Sequence, residues 1–352
     1  TALYKATKCE GVGTNNVIRA VQSGEPVSPL LVPAIFFGTV LTHLCGGSAG
    51  REGAALQMGG SIGYNIAKLF HFPDHDRRTA TVCGMAAFFS ALFGTPLAAT
   101  LFAMMVEDVG LSFSVAFVPG FCAALLAYGI SLACGIAPTR FALSAVPALG
   151  ILPVLQVALL GVACAAVTRL FCLLLHAAEH QLPKRLPNPW VRVVLGGVAL
   201  SYLMGVGRYN GAGMGVITAA VEQGQALPWD FICKILLTAI TLASGFKGGE
   251  VVPSFYIGAT FGCVFGPLLG LPAGFSAAVA MVAVFCGAAN TLVPSLLLAY
   301  ELFGGAGLEL IALGCGLSYM LSGYHGLYSS QTFLSDKFHS EYTARWEARL
   351  HH

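Results

Sequence analysis

Glycine and proline break up one apolar stretch after another in this chain. The stretches run at about 30–45, 79–106, 111–137, 150–178, 190–206, 229–244, 251–270, 273–287, 290–304 and 308–322. Breaks fall among them at Gly94-Thr95-Pro96, Pro119-Gly120 and Pro294. A break frees backbone N–H and C=O groups that lipid cannot satisfy, so it belongs where protein or a watery cavity surrounds it. Only 10 % of the 352 residues are charged and 56 % are hydrophobic, against roughly 25 % charged in an average soluble domain. That supply cannot build a water-facing surface, and the apolar content excludes a disordered chain. The 43 glycines follow no Gly-X-Y period, which excludes collagen. An all-α polytopic membrane protein remains, with the lipid bilayer as its first partner and room for roughly ten spanning or half-spanning helices.

A formal net charge of +2 with no basic stripe points away from nucleic acid. The 11 cysteines lie singly, with no CxxC pair, and read as small buried hydrophobes rather than as disulfides or metal ligands. Neither a cofactor nor a metal is predicted. Charge gathers at 74–78, at Lys184-Arg185 and in the tail at 336–349. These are candidate cytoplasmic segments.

The chain also repeats itself. Gly11-Val12-Gly13-Thr14 resembles Gly211-Ala212-Gly213-Met214. In the same order, Gly59-Gly60-Ser61-Ile62-Gly63 resembles Gly258-Ala259-Thr260-Phe261-Gly262, and Thr95-Pro96-Leu97 resembles Thr291-Leu292-Val293. The offsets are 200, 199 and 196 residues. Three ordered matches at nearly one offset predict two related membrane halves, 1–149 and 150–352. Such duplicated halves with broken helices are how many transporters build a midplane site. Two apolar stretches precede Gly211 and only ten residues precede Gly11, so symmetry predicts that the first two helices of copy one lie outside this sequence.

Two glycine-rich loops open helices at matching places, 46–54 and 245–253. Glycine lets the backbone turn tightly and brings bare N–H groups close to a ligand. A helix start adds unpaired donors and the positive end of its dipole. The candidate anion-binding residues are Gly50, Arg51 and Gly53 in the first loop and Gly249 and Val251 in the second. Each loop also carries one carboxylate, Glu52 or Glu250. An acid inside a membrane segment is costly and by default functional. The alternative is a salt bridge, Glu52 to Arg51 or Glu250 to Lys247, or an interfacial position in water. A carboxylate beside an anion site can take up a proton when the anion arrives, which ties the two movements together.

These segments, with Gly11-Val12-Gly13-Thr14-Asn15 and Gly326-Leu327-Tyr328, resemble the ordered signatures of CLC anion channels and transporters. More narrowly they are similar to the bacterial CLC-type fluoride/proton antiporters, as are Gly287-Ala288-Ala289-Asn290-Thr291 and Gly323-Tyr324-His325-Gly326. Chloride-handling relatives have serine in place of Val12, proline in place of Asn15 and an apolar residue in place of Glu250. The resemblance implies a homodimer of inverted repeats in the cell's inner membrane, exporting fluoride against protons and acting as no enzyme. It implies that Glu52 is the gating, proton-carrying glutamate and that Tyr328 lines the inner anion site. It also implies that amides around Glu250 and Val251 face the central anion, and that Val12 removes a chloride ligand. Two departures stand out. Val252 replaces a threonine frequent in the fluoride branch, and Val106 stands where proton-coupled chloride members have an inner glutamate.

Phe255 and Tyr256 are candidate aromatic contacts to fluoride through their positive ring edges, or ordinary packing residues. A chloride channel or chloride/proton exchanger of the same fold is the first rival reading. A membrane zinc enzyme built on His176-Ala177-Ala178-Glu179-His180 is the second, although this motif is expected to be the polar end of an apolar helix.

Overall fold

A computed structural model describes residues 2–7, 9, 13–106, 108–109, 115–203, 207–333 and 337. Fifteen helices account for most of them. After α1 (Ala2–Ala6), copy one runs α2 (Thr14–Ser23), α3 (Leu31–Leu44), α4 (Glu52–Leu69), α5 (Asp74–Phe93), α6 (Pro96–Met105) and α7 (Phe117–Ala133). Two helices follow, α8 (Ile151–Arg185) and α9 (Pro189–Leu203). Copy two runs α10 (Met214–Glu222), α11 (Asp230–Ala243), α12 (Val251–Leu268), α13 (Ala273–Ala289), α14 (Leu292–Phe303) and α15 (Leu308–Leu321). Asp108–Val109 and Thr332–Phe333 add a two-residue parallel pairing. The fold is that of an all-α polytopic membrane protein. α8 and α12 are long and apolar enough to cross a bilayer alone, while most of the rest are shorter apolar helices.

Three helix starts recur at one offset along the chain. The starts of α3, α4 and α5 precede those of α11, α12 and α13 by 199 residues. The apolar stretch at 79–106 is in fact two helices. Gly94 closes α5 at φ 71°, and Pro96 opens α6 with its ring already at a helical φ. Copy two makes the same break with Asn290 at φ 55°, where a side chain must supply what glycine gives for free. Asn290 does so by donating to Gln331 at 3.2 Å and accepting from Lys337 Nζ at 2.6 Å. The first turn of α6 is completed from the other copy. Glu301, on α14, accepts the amides of Leu97 and Ala98 at 3.2 and 2.9 Å, placing a negative charge at the positive end of the helix.

The core lies along α13, which is buried from Phe275 to Ala289 and packs against α12, α8 and α15. Lipid supplies no hydrophobic drive for one helix to leave it for another, so close backbone packing has to serve. The two repeated glycine pairs serve this purpose. Gly59 on α4 lies against the carbonyl of Gly84 on α5, and Gly258 on α12 lies against that of Ala280 on α13. A Cβ at either place would collide with backbone rather than with a movable side chain. Gly258→Leu is therefore expected to lower stability by about 1–3 kcal/mol or to rearrange the helix pair. Gly129→Ala on α7, where an added Cβ meets nothing, should keep the wild-type melting temperature; thermal unfolding in detergent compares the two.

Candidate functional site

The glycine-rich loops meet end to end. Gly50 and Gly249 exchange both backbone hydrogen bonds at 2.8 Å in a single antiparallel bridge. One step outward the exchange continues through side chains. The Ser48 amide donates to Thr241 Oγ1 at 3.0 Å, and the Lys247 amide donates to Thr42 Oγ1 at 3.0 Å. Thr42 and Thr241 also donate back to their own helices, at Gly38 and Leu237. Thr42 and Thr241, Ser48 and Lys247, and Gly50 and Gly249 all stand 199 residues apart. The contact is thus a local two-fold exchange between equivalent residues of the copies. Gly211 adds a further link by donating to the Gly47 carbonyl at 2.8 Å. The amides of Ser48, Gly50, Lys247 and Gly249 in these bonds are ones that a broken helix would otherwise leave bare.

The bridge sets the starts of α4 and α12 side by side. A Cβ on Gly249 would press on the backbone of Gly53, and one on Gly50 would strike the Glu52 carboxylate. Glu52, 1 % exposed, holds its carboxylate beside the amides of Arg51 and of Val252 in the other copy. Among the described residues nothing donates a hydrogen bond to its Oε2. Glu250 Oε2 and the Tyr328 hydroxyl are likewise buried without hydrogen-bond partners among the described residues. These three groups act on one another electrostatically: both glutamates on Tyr328, and Glu52 on Glu250. Buried polar atoms normally find partners. Three of the unpartnered atoms thus belong to groups that act on one another beside this pair of helix starts.

Most of the predicted site residues come together here. Gly50, Glu52, Gly53, Gly249, Val251 and Tyr328 are buried around the bridge, with Glu250 half-buried among them. Arg51 is exposed, and among the described residues no ion pair joins it to Glu52. Lys247 acts electrostatically on Glu250, and its ammonium lies 4.6 Å from the centre of the Tyr4 ring. Val12 lies outside the described residues. Phe255 packs edge-on to Phe93 and Phe285, at 6.0 and 4.9 Å between ring centres. Val106 is fully buried. Among the described residues no group of three His, Cys, Asp or Glu side chains stands close enough to hold a metal. His176 sits on the α8 helix, which continues to Arg185, and its Nε2 lies 2.7 Å from the Gly326 carbonyl.

Sequence reasoning missed the threonine pair, whose 199-residue spacing was there to be read. It also missed Lys234. This fully buried lysine on α11 donates to the carbonyls of Tyr209 and Gly211 at 3.1 and 2.7 Å and lies 4.9 Å from the Tyr256 ring centre. It holds the Gly211 loop in place and acts electrostatically on Glu52. Beside it, buried Asp230 accepts from Arg208 at 2.6 Å, from Tyr209 at 2.9 Å and from the Leu227 amide at 2.9 Å. A single lysine inside a long apolar run gives little sign that it faces carbonyls rather than water.

An all-helical membrane fold in which a backbone bridge joins two helix starts, each with a carboxylate beside it, sets the class of protein with which this chain is compared. The profile of the voltage-gated chloride channel family matches residues 1–323, and the chain belongs to that family, the CLC channels and transporters. It is 35 % identical over 337 residues to the chloride/fluoride channel protein of Pseudomonas syringae pv. tomato, covering 93 % of this chain and 74 % of that protein. It is 27 % identical over 322 residues to the H(+)/Cl(-) exchange transporter ClcA of Yersinia pestis bv. Antiqua, covering 84 % of this chain and 66 % of the exchanger. Among solved structures it resembles a CLC-type fluoride/proton antiporter at TM-score 0.88 and 34 % identity, covering 94 % of this chain and 84 % of the other. A slow cyanobacterial Cl-/H+ antiporter shares the fold at TM-score 0.78 and 20 % identity, covering 91 % and 79 %.

Lys234→Met keeps the stem of the side chain and takes the ammonium donor from two part-buried carbonyls. It is expected to cost about 1–3 kcal/mol, read as a lowered midpoint of chemical unfolding in detergent. An unchanged midpoint would mean that the loop holds its place without the ammonium.

Proposed function

We propose that this protein exports fluoride across the cell's inner membrane in exchange for protons. The starts of α4 and α12 hold the anion through backbone amides, Glu52 carries the proton and competes with the anion, and Tyr328 serves the inner end. The observation that carries the reading is Glu250, a second carboxyl with a buried, unpartnered oxygen that acts electrostatically on Glu52 and Tyr328. Fluoride is small and strongly hydrated, so it must exchange its water for short hydrogen bonds. Backbone N–H groups, a phenol and a protonated carboxyl supply such bonds, and charge-assisted ones are the strongest. A larger anion gains less from a second carboxyl, which repels it whenever ionised. The likeness to a fluoride/proton antiporter over 94 % of this chain supports the same reading, and the assembly that goes with it is a homodimer.

Efflux from proteoliposomes separates fluoride from chloride. Fluoride is expected to leave faster and to drive proton uptake, whereas equal or faster chloride efflux would move the assignment to a chloride channel or exchanger. In the same assay Glu52→Gln should lower fluoride-coupled proton uptake by at least about 100-fold, the scale of a lost proton-transfer group. Unchanged coupled flux would refute its role. Glu250→Ala should change fluoride turnover or the fluoride-to-chloride ratio, and wild-type values for both would make Glu250 structural.

A further inference from the structure

We propose that Asn15 and Asn290 position Tyr328 and so set the anion preference, an inference that rests on the role given to Tyr328 above. Tyr328 lies on no helix. It opens a turn that Gln331 closes by donating its amide to the Tyr328 carbonyl at 3.2 Å. A loop of this kind holds a side chain only as firmly as its own backbone is held. The tip of the turn is held by copy one. The Ser330 amide donates to Asn15 Oδ1 at 3.2 Å, and the Ser330 carbonyl accepts from Gln22 Nε2 at 2.9 Å, so both groups come from α2. The base of the turn is held by copy two. The Leu327 amide donates to the Ala288 carbonyl at 2.8 Å, Gln331 Nε2 donates to the Ala289 carbonyl at 2.9 Å, and Gln331 Oε1 accepts from Asn290 Nδ2 at 3.2 Å. Tyr328 is thus braced from both sides, while its own hydroxyl has no hydrogen-bond partner among the described residues.

The two asparagines are matched to their places. Asn290 ends α13 at φ 55°, a conformation that asparagine adopts more readily than most side-chain-bearing residues. There its side-chain amide serves two neighbours at once: Nδ2 donates to Gln331, and Oδ1 accepts from Lys337 Nζ at 2.6 Å. Lys337 also donates to the carbonyls of Tyr319 and Gly323, which joins the end of α13 to the end of α15. Gly326 leaves room for the arrangement, since a Cβ there would strike Asn290 Nδ2. Asn290 is 1 % exposed, so bulk water does not replace the bonds it makes. Asn15, in the first turn of α2, turns its acceptor to an amide outside the helix. Fluoride is the anion most sensitive to this bracing. Its hydrogen bonds are short and charge-assisted, and they weaken steeply when the donor draws back. A larger anion meets the same hydroxyl at a longer distance and loses less from the same displacement.

The test is a pair of double-mutant cycles on the full chain in proteoliposomes, with fluoride and chloride efflux both recorded and fluoride binding measured by calorimetry. Asn290→Gly keeps the positive φ and removes both side-chain bonds. Asn15→Ala removes the acceptor for the Ser330 amide from a position inside a helix. Each is expected to lower the fluoride-to-chloride efflux ratio about tenfold, the scale of a ligand displaced by a fraction of an ångström. Asn15→Asp, which keeps an acceptor oxygen, should bring the ratio back to within about twofold of wild type. In a Tyr328→Phe background either substitution should change the ratio and the fluoride affinity by less than about twofold, because the hydroxyl they hold is already gone. A purely structural role would give the same loss in both backgrounds. Such additive loss, or a wild-type ratio in both single variants, would overturn the proposal. Should Asn290→Gly not fold, the Asn15 cycle decides between these outcomes by itself. Wild-type flux in Tyr328→Phe takes away the Tyr328 role and its positioning together, and leaves exchange through Glu52 standing. Chloride preference in the wild-type protein removes the fluoride reading instead, and the cycles then stand or fall on chloride efflux.

Discussion

Two backbone hydrogen bonds between Gly50 and Gly249 fix the distance between two helix starts, and the rest of the site is arranged around that distance. In lipid, a helix that stops short exposes donors and acceptors with nowhere to go. Here each broken end is completed by the equivalent end of the other copy, first through backbone at Gly50 and Gly249 and then through the hydroxyls of Thr42 and Thr241. The solution costs no charge, in a chain with little charge to spend. It also requires glycine, because any Cβ at positions 50 or 249 would meet a carboxylate or a backbone atom.

With the backbone satisfied, the remaining polar atoms stand out. Glu52, Glu250 and Tyr328 keep oxygens buried and unpaired, a costly state unless a ligand or a proton completes it. The surrounding structure is heavily braced by contrast: Phe255 among aromatic rings, Lys234 on two carbonyls, Glu301 on the start of α6. A stiff frame around a few unsatisfied atoms is what a site for a small ion needs, since the ion offers few contacts by which to shape its surroundings.

Much of this was legible in the sequence because the constraints are local. Glycine-rich loops ahead of helices, a carboxylate in each, and a repeat near 199 residues follow from the backbone's needs at a break and from duplication. Gly59 and Gly258, matched in that repeat, both lie where one helix meets the backbone of another. What the sequence hid depends on which face of a helix meets which neighbour. Lys234 reads as an odd charge until the carbonyls of Tyr209 and Gly211 are seen beneath it. The histidines of α8 read as a polar helix end, which gives no sign of the Gly326 carbonyl that lies 2.7 Å from His176. Arg51, adjacent to Glu52 in the chain, is exposed, because successive residues at a helix start point in different directions.

The carboxylate that Glu301 lends to α6 has a consequence for the relation between the halves. Separate the chain between 149 and 150, and each piece inherits a fault that the joined chain does not show. One piece holds a helix whose first amides lack their acceptor, and the other a half-buried acid with nothing to accept. The copies have ceased to be interchangeable modules. Each now carries part of the other's solvation, so a change that suits one half has to be tolerated by its counterpart before it can be kept.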